Sequence, residues 1–203
     1  MLQEFVQAIN DSIKKEIRGI HTAMPGKIVS FDSGKMLATV LPVMKFKKPD
    51  GETIDYPQIT GVPVVFPQAA GQQCTIAFPV KAGDGCLVVI AEQSLDYWMY
   101  DQETPTDLAF DMTNAICIPG LFTAPNTVMR DACSQNAVVI DTKGTRLTVK
   151  DGVVEIKTDE VKISGNLNVG GYIRAVGDVV GKGISLATHT HGGDSGGSTS
   201  EPR

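Results

Sequence analysis

The sequence is poor in the features that mark several common protein classes. Its 18 Lys and Arg are outnumbered by 23 Asp and Glu, for a net charge of -5. No basic stripe is available for phosphates, so we expect no nucleic-acid partner. No stretch approaches the ~18–20 continuous apolar residues of a membrane span, and MLQEFVQAINDSIKKEI lacks the cationic start and apolar run of a signal peptide. Aromatic residues, at 6%, are few for an enzyme with an apolar pocket.

Cysteine is also scarce, and it is scattered. The four cysteines, Cys74, Cys86, Cys117 and Cys133, form no C-x-x-C pair. This spacing is typical of reduced thiols in a protein made in a cytoplasm, and it argues against a disulfide framework or a zinc site.

What is present begins with an amphipathic helix in residues 1–24. Apolar side chains recur at 3.6-residue spacing, the charged ones lie mostly elsewhere, and Gly19 followed by Pro25-Gly26 predicts the helix end. Such a helix docks either on its own domain or on copies of itself, and both remain open. Its apolar positions are Leu2, Phe5, Val6, Ile9, Ile13, Ile17 and Ile20.

Residues 25–120 change to short strands. β-Branched runs separated by turn sequences, with proline at strand edges, predict a small closed barrel of the oligonucleotide/oligosaccharide-binding (OB) type, with a β-sandwich as the alternative. His21, alone before the barrel, is expected to be an ordinary surface or packing residue. The six runs are KIVSF, MLATVLPV, ETIDYPQI, VPVVFP, QCTIAFPV and GCLVVIAE.

Residues 93–135 are less regular, and 121–140 are predicted to be a connector. Four carboxylates in this region are candidates for metal or acid–base chemistry. Their irregular spacing in a turn-rich segment favours solvated loop charges instead. They are Asp96, Asp101, Asp107 and Asp111.

A six-residue repeat occupies VKISGNLNVGGYIRAVGDVVGKG. In each of the four repeats an apolar residue is followed two residues later by a second position and four residues later by glycine. Each of these positions, read down the four repeats, is called a column. This period predicts short strands, each closed by a glycine able to adopt positive φ. The columns are Val161, Leu167, Ile173 and Val179; Ile163, Val169, Ala175 and Gly181; and Gly165, Gly171, Gly177 and Gly183.

Four repeats are too few for one chain to bury its own apolar side chains. Each exposed Leu, Ile or Val would forfeit ~1.5–3 kcal/mol, so we expect an intertwined homotrimeric β-helix over 141–188. The upstream TRLTVKDGVVEIKTDEVKI would start it, although Asp151-Gly152 suits a simple hairpin equally well. The second column shrinks from Ile163 to Gly181, which predicts a tapering spike.

Two of the three histidines, His189 and His191, open a final segment, 189–203, that ends in a Gly/Ser-rich tail. Residues i and i+2 of a strand face the same way. If the strand continues past Leu186, three chains would therefore present six imidazoles around one axis. Such an octahedral site favours iron or nickel over tetrahedral zinc, and with no open position the metal would be structural.

Two stretches resemble a known family. KAGDGCLVVIAEQSLDYW followed by DMTNAICIPGL resembles the barrel-closing region of the central spike proteins (GpV-like) at the baseplate tip of contractile-tailed bacteriophages. GNLNVGGYIRAVGDVVGKGISLATHTHGG is similar to their β-helical spike and H-x-H apex. The resemblance covers about Gly26 to Gly193. It implies an all-β fold with a short N-terminal helix, an OB-type barrel and an intertwined trimeric β-helix spike. It also implies one structural iron ion, or another transition metal, held by His189 and His191 of three chains.

The resemblance further implies a role without turnover. The barrel would sit on the tail hub of the baseplate, and the spike would puncture the host outer membrane mechanically when the tail contracts. The protein would be a virion component at the baseplate tip, assembled in the bacterial cytoplasm. No lysozyme activity is expected, because the connector has no recognisable Glu/Asp pair. The tail DSGGSTSEPR would fold back, cover the tip or be disordered.

Two other functions fit parts of the pattern. Trimeric acyltransferases also use hexad-repeat β-helices, with a histidine as general base, but they need many more than four hexads. A carbohydrate-binding barrel with a trimerising stalk predicts surface aromatics. Only Tyr56, Phe66 and Phe78 are available in the barrel, and core packing is the favoured role for Phe66 and Phe78.

Overall fold

The computed structural model describes residues 1–48, 50–104, 108–193 and 195–201, and contacts divide the chain into two units, Met1–Arg130 and Asp131–Arg203. Outside one long helix the regular secondary structure of the described residues is mostly β, as predicted. The helices are α1 (Leu2–Gly19), α2 (Asp96–Tyr100) and α3 (Thr127–Gln135), with a 3₁₀ turn at Met112–Asn114. The strands are β1 (Ala23–Asp32), β2 (Leu37–Pro42), β3 (Lys45–Lys47), β4 (Thr53–Asp55), β5 (Ile59–Pro63), β6 (Gln68–Ala69), β7 (Cys74–Thr75), β8 (Gly85–Ile90), β9 (Ala115–Pro119), β10 (Val138–Thr142), β11 (Thr145–Lys150), β12 (Val153–Lys157), β13 (Val180–Gly181) and β14 (Ile184–Ser185).

The first unit is built on a curled antiparallel sheet in the order β5-β2-β1-β8-β9. Its two edge strands meet, because Val64 forms a parallel bridge with Cys117 and the Val65 amide donates to the Cys117 carbonyl at 2.9 Å. One sheet that closes on itself confirms the small OB-type barrel and differs from the two stacked layers of the β-sandwich alternative.

Alternate residues of β2 and β8 point into the barrel, as the period of a half-buried strand requires. Gly26 is needed at this centre, because a Cβ there would lie 2.7 Å from Cγ2 of Val88. Pro25-Gly26 lies inside β1, and α1 already ends at Gly19. The expectation that Pro25-Gly26 helps to end α1 is wrong. The core consists of Met24, Ile28, Ala38, Val40, Ile59, Val62, Val64, Val80, Cys86, Val88, Ile90, Ala115 and Cys117.

Aromatic side chains of the first unit take three different positions. His21 lies edge-on to Tyr56 with ring centroids 5.9 Å apart, which confirms a packing role. Phe66 is half-buried against the core, as expected. Phe78 contacts Phe66 but stays 43% exposed, so its predicted core role is wrong.

The second unit contains a three-stranded antiparallel sheet, β10-β11-β12, and the small hairpin β13-β14. Asp151-Gly152 turns between β11 and β12, with φ of 68° at Gly152, so the hairpin alternative for this stretch is confirmed. Arg146 donates to Asp141 at 2.7 Å and to Asp131 at 2.9 Å, and these two carboxylates raise its pKa.

The hexad region differs from the sequence expectation within a single chain. Residues 158–179, all of which are described, contain no strand. Of the four repeat glycines, Gly183 adopts positive φ, at 79°, whereas Gly165, Gly171 and Gly177 do not. Extended backbone needs a neighbouring strand for its hydrogen bonds, and this stretch has none within its own described chain.

None of the described helices is both long enough and apolar enough to cross a membrane.

Candidate metal site at the histidine pair

The hairpin β13-β14 positions the histidine pair. Lys182 and Gly183 both have positive φ, 52° and 79°, as a tight two-residue hairpin turn requires. The Leu186 amide donates to the Val179 carbonyl at 2.8 Å, and β14 then ends in a turn that brings the His189 amide within 3.2 Å of the Ser185 carbonyl. The strand therefore does not continue past Leu186, contrary to the sequence expectation.

Asp178 anchors this hairpin from the preceding turn. Its Oδ1 accepts hydrogen bonds from the amides of Val179 at 2.8 Å and Ala187 at 3.0 Å. Hydrogen bonds from the Ser185 side chain and from the Ala187 amide lower the pKa of Asp178. One carboxylate thus joins both ends of the β13-β14 hairpin that precedes His189.

The hydrogen bonds of His189 determine which ring nitrogen is free. Its Nδ1 lies 2.9 Å from the Ser185 carbonyl oxygen and 3.2 Å from that of Leu186. A carbonyl oxygen only accepts, so Nδ1 carries the proton and donates. In the neutral ring Nε2 then keeps its lone pair, which is the arrangement found in metal-ligating histidines that are oriented by a backbone carbonyl.

His191 is held by the tail that follows it. Its amide donates to the Thr199 hydroxyl at 2.9 Å, and the Thr199 amide donates back to the His191 carbonyl at 2.9 Å. Gly192 and Ser198 form an antiparallel bridge between these contacts. Of the three fates expected for DSGGSTSEPR, the structure shows folding back. Asp194, Pro202 and Arg203 lie outside the described residues.

The two imidazoles lie side by side despite the turn. Their ring centroids are 5.1 Å apart with an interplanar angle of 84°. A metal–imidazole bond is ~2.1 Å long, so rings at this separation are close enough to bind one ion. Two nitrogens make an incomplete set, and among the described residues no group of three or more His, Cys, Asp or Glu side chains is close enough to hold a metal. One chain therefore supplies two imidazole ligands and leaves the remaining positions of a metal ion open.

The candidate carboxylates do not assemble into a site. Asp96 begins α2, and Asp101 ends it in a left-handed conformation, with φ of 53°. Asp111 caps the 3₁₀ turn, where hydrogen bonds from the hydroxyl and amide of Thr113 lower its pKa. Asp107 lies outside the described residues. The described members of the set serve local turns, as the sequence favoured.

Two residues of the site were not found from the sequence. Asp178 precedes the hairpin, and its place in the motif G-D-V-V-G-K-G is the signal that marks it as a turn acceptor. Thr199 gives no such signal, because it lies in a Gly/Ser-rich tail whose composition predicts disorder.

The comparison with protein families concerns the barrel. Residues 24–120 match the family model described as Phage protein Gp138 N-terminal domain, a segment that runs from the second residue of β1 to the residue after β9. No curated protein matches the chain. This barrel is thus similar to the N-terminal domain of a phage protein, and the similarity supports a bacteriophage structural protein of the baseplate type.

Proposed function

We propose that three copies of this chain intertwine over residues 141–188 and form the central spike of a contractile-tail baseplate, which punctures the host outer membrane. The observation that carries this proposal is the lack of an apolar core in the second unit. Among its described residues Thr148 is buried, at 6% exposure, and no apolar side chain is.

The exposed apolar side chains of this unit follow both the β10-β11-β12 sheet and the hexads. A soluble monomer rarely leaves so extended an apolar surface in water. The repeat columns are prominent in it: Leu167 is 66% exposed and Ile173 is 68% exposed. Tyr172 is the aromatic member of this set, and the aliphatic members are Val138, Ile140, Val149, Val153, Val154, Ile156, Val161, Ile163, Leu167, Val169, Ile173, Val176, Val179, Val180, Ile184 and Leu186.

The energies favour association. Burying one Val, Leu or Ile side chain contributes ~1.5–3 kcal/mol, whereas bringing chains together costs about 4–15 kcal/mol in lost freedom. Burial of half of this set in each of three chains offsets that cost, even though a trimer pays it twice. Intertwining also supplies the neighbouring strands that residues 158–179 lack within one chain.

The histidine pair lies at the end of this apolar surface. His189 and His191 of three chains would together supply six imidazole nitrogens, a set suited to iron or to another transition metal that takes six nitrogen ligands. The metal would cross-link three chain ends, which is a structural contribution to folding. The Nδ1 hydrogen bonds of His189 orient its ring, and the Thr199 contacts hold the backbone of His191.

The mechanism that follows is mechanical. Chains that wrap around each other separate only when many interchain hydrogen bonds break together, so the spike resists bending and fraying under load. The barrel would attach this spike to the tail hub, and the tip would be pushed against the outer membrane. No chemical turnover is involved, and neither substrate nor nucleic acid takes part.

A metal measurement on purified protein tests the proposal. The wild-type chain should retain close to one iron or other transition-metal ion per three chains by plasma mass spectrometry. The double variant His189→Ala/His191→Ala should lose it, whereas His21→Ala, which removes the histidine packed on Tyr56, should keep it. An unchanged metal content in the double variant would overturn the metal assignment.

A further inference from the structure

We infer that α1 docks on the α1 helices of partner copies of this chain, through its own apolar stripe, and not on the barrel. The apolar stripe consists of Leu2, Val6, Ile9, Ile13, Ile17 and Ile20, with Phe5 beside it. The inference takes from the proposed function only the number of copies and otherwise stands on α1 itself.

The barrel leaves the apolar stripe uncovered. No residue of α1 is buried, and exposure along the stripe runs from 44% at Ile9 to 78% at Leu2. The polar side of α1 is the side that faces the rest of its unit, across an open recess. That recess is lined by Asp11, Lys14, Lys15, Arg18, Gly19 and Phe46 of β3.

A helix in this position needs another partner. Most helical stability in proteins comes from packing of the apolar face and not from helix propensity, so a helix whose apolar face is uncovered lacks its main source of stability. The stripe of α1 is continuous over all 18 residues of the helix and extends to Ile20, which caps it. Its exposure in the single chain therefore marks a surface for association.

The spacing of the stripe is that of a helix that packs on copies of itself. Its residues are separated by four, three, four, four and three positions. Each apolar position is therefore followed by another one eleven residues later. Leu2 is repeated by Ile13, Val6 by Ile17 and Ile9 by Ile20. An eleven-residue repeat, 3.67 residues per turn, keeps one seam facing its partners along a right-handed supercoil.

The residue types in the stripe select the number of helices. Ile occupies four of its six positions, including every one from Ile9 onward. Ile throughout the core of a helical bundle shifts the preference from two strands to three or four. This preference agrees with three copies, the number proposed independently from the second unit.

The charges of α1 do not fit a membrane surface. All three of its basic residues, Lys14, Lys15 and Arg18, line the recess on the polar side. Membrane-surface helices are rich in Lys and Arg, whereas α1 balances three acidic residues against three basic ones.

Cysteine cross-linking in the full-length chain tests this inference. Cys74→Ser and Cys133→Ser remove the exposed thiols and leave the buried Cys86 and Cys117. Into this background we would place Ile13→Cys or Val6→Cys within the stripe, or Ala8→Cys on the opposite face as the matched control. With a short bismaleimide reagent, both stripe variants should form covalent dimers at least 10-fold faster than Ala8→Cys.

Sedimentation of the unlinked background protein separates this inference from the proposed function. A trimer mass without preferential linking at Ile13 and Val6 would overturn the docking of α1 and leave the spike proposal intact. Preferential linking with a dimer mass would retain the docking and overturn the trimeric spike. Ala8→Cys linking as fast as the stripe variants, or flotation of the chain with neutral or anionic phospholipid vesicles in place of linking, would overturn the docking.

Discussion

Val64 pairs in parallel with Cys117, and this bridge joins the two edge strands of the curled sheet. The Cys117 thiol lies inside the closed barrel, where it contacts the Cys86 thiol. Their mutual hydrogen bond and burial raise the pKa of Cys117 far above its ordinary value. Both thiols are fully buried, so closure of the barrel shields them from reagents in solution.

Thiol reactivity should therefore divide the four cysteines. Cys74 is exposed, whereas Cys86 and Cys117 become accessible only when the barrel opens. Opening a core strand costs several kcal/mol, so Ellman's reagent should modify Cys86 and Cys117 at least roughly 100-fold more slowly than Cys74. Urea should abolish the difference. Equal rates in the native protein would show that the barrel is not closed at Val64.

Gly85 should tolerate no side chain. A Cβ at this position would overlap the carbonyl oxygen of Leu121, and backbone cannot yield as a flexible side chain does. Gly85→Ala should therefore lower the free energy of unfolding by about 1–3 kcal/mol, measured by urea denaturation followed by circular dichroism. Gly19→Ala is the matched control, because a Cβ there meets nothing within 4 Å. Equal stability of Gly85→Ala and wild type would contradict the close approach of the Leu121 carbonyl to Gly85.

Asp178 should make the β13-β14 hairpin sensitive to acid. Hydrogen bonds from Ser185 and from backbone amides lower its pKa in the folded chain. A lowered folded pKa adds stability that is present above the unfolded value, ~3.9, and is lost as the pH falls through the folded pKa. The Ala187 amide shift in NMR should titrate with a midpoint below 3.9. The step should be absent in Asp178→Asn; a step that persists there would assign it to another group.

Thr199 should support metal binding without being a ligand. Its hydroxyl and amide hold the His191 backbone, and loss of such outer contacts typically weakens metal affinity about 10–100-fold. Thr199→Val should therefore weaken retention of the metal against a chelator by about 10-fold, with the oligomer mass unchanged. Ser200→Ala serves as the control. Equal retention of the metal by Thr199→Val and Ser200→Ala would contradict the positioning role of Thr199.

Much of the first unit was predictable because each strand buries alternate residues of one chain. The runs around Val40 and Val88 carry that period in the sequence and form β2 and β8. β9 was not among the six predicted runs, and α3 was missed inside the predicted connector. The signal for α3 is Asn126, whose side chain accepts from the Met129 amide at 2.8 Å, as an N-cap residue does.

The second unit was harder to predict because its pattern does not match what one chain forms. The hexads have strand periodicity, yet residues 158–179 contain no strand in the described chain. Proximity of His189 and His191 was predictable from their spacing. The turn at Ser185 and the tail contact at Thr199 were not, since both depend on hydrogen bonds to backbone groups that composition does not specify.

We propose that the C-terminal part of the chain acquires an interior only when three copies combine. Sedimentation equilibrium of the full-length protein with its metal retained tests this claim most directly. We predict one species at three times the 21.6 kDa mass of the chain, unchanged on dilution through the micromolar range. A compact, stable species with the mass of a single chain would contradict the account.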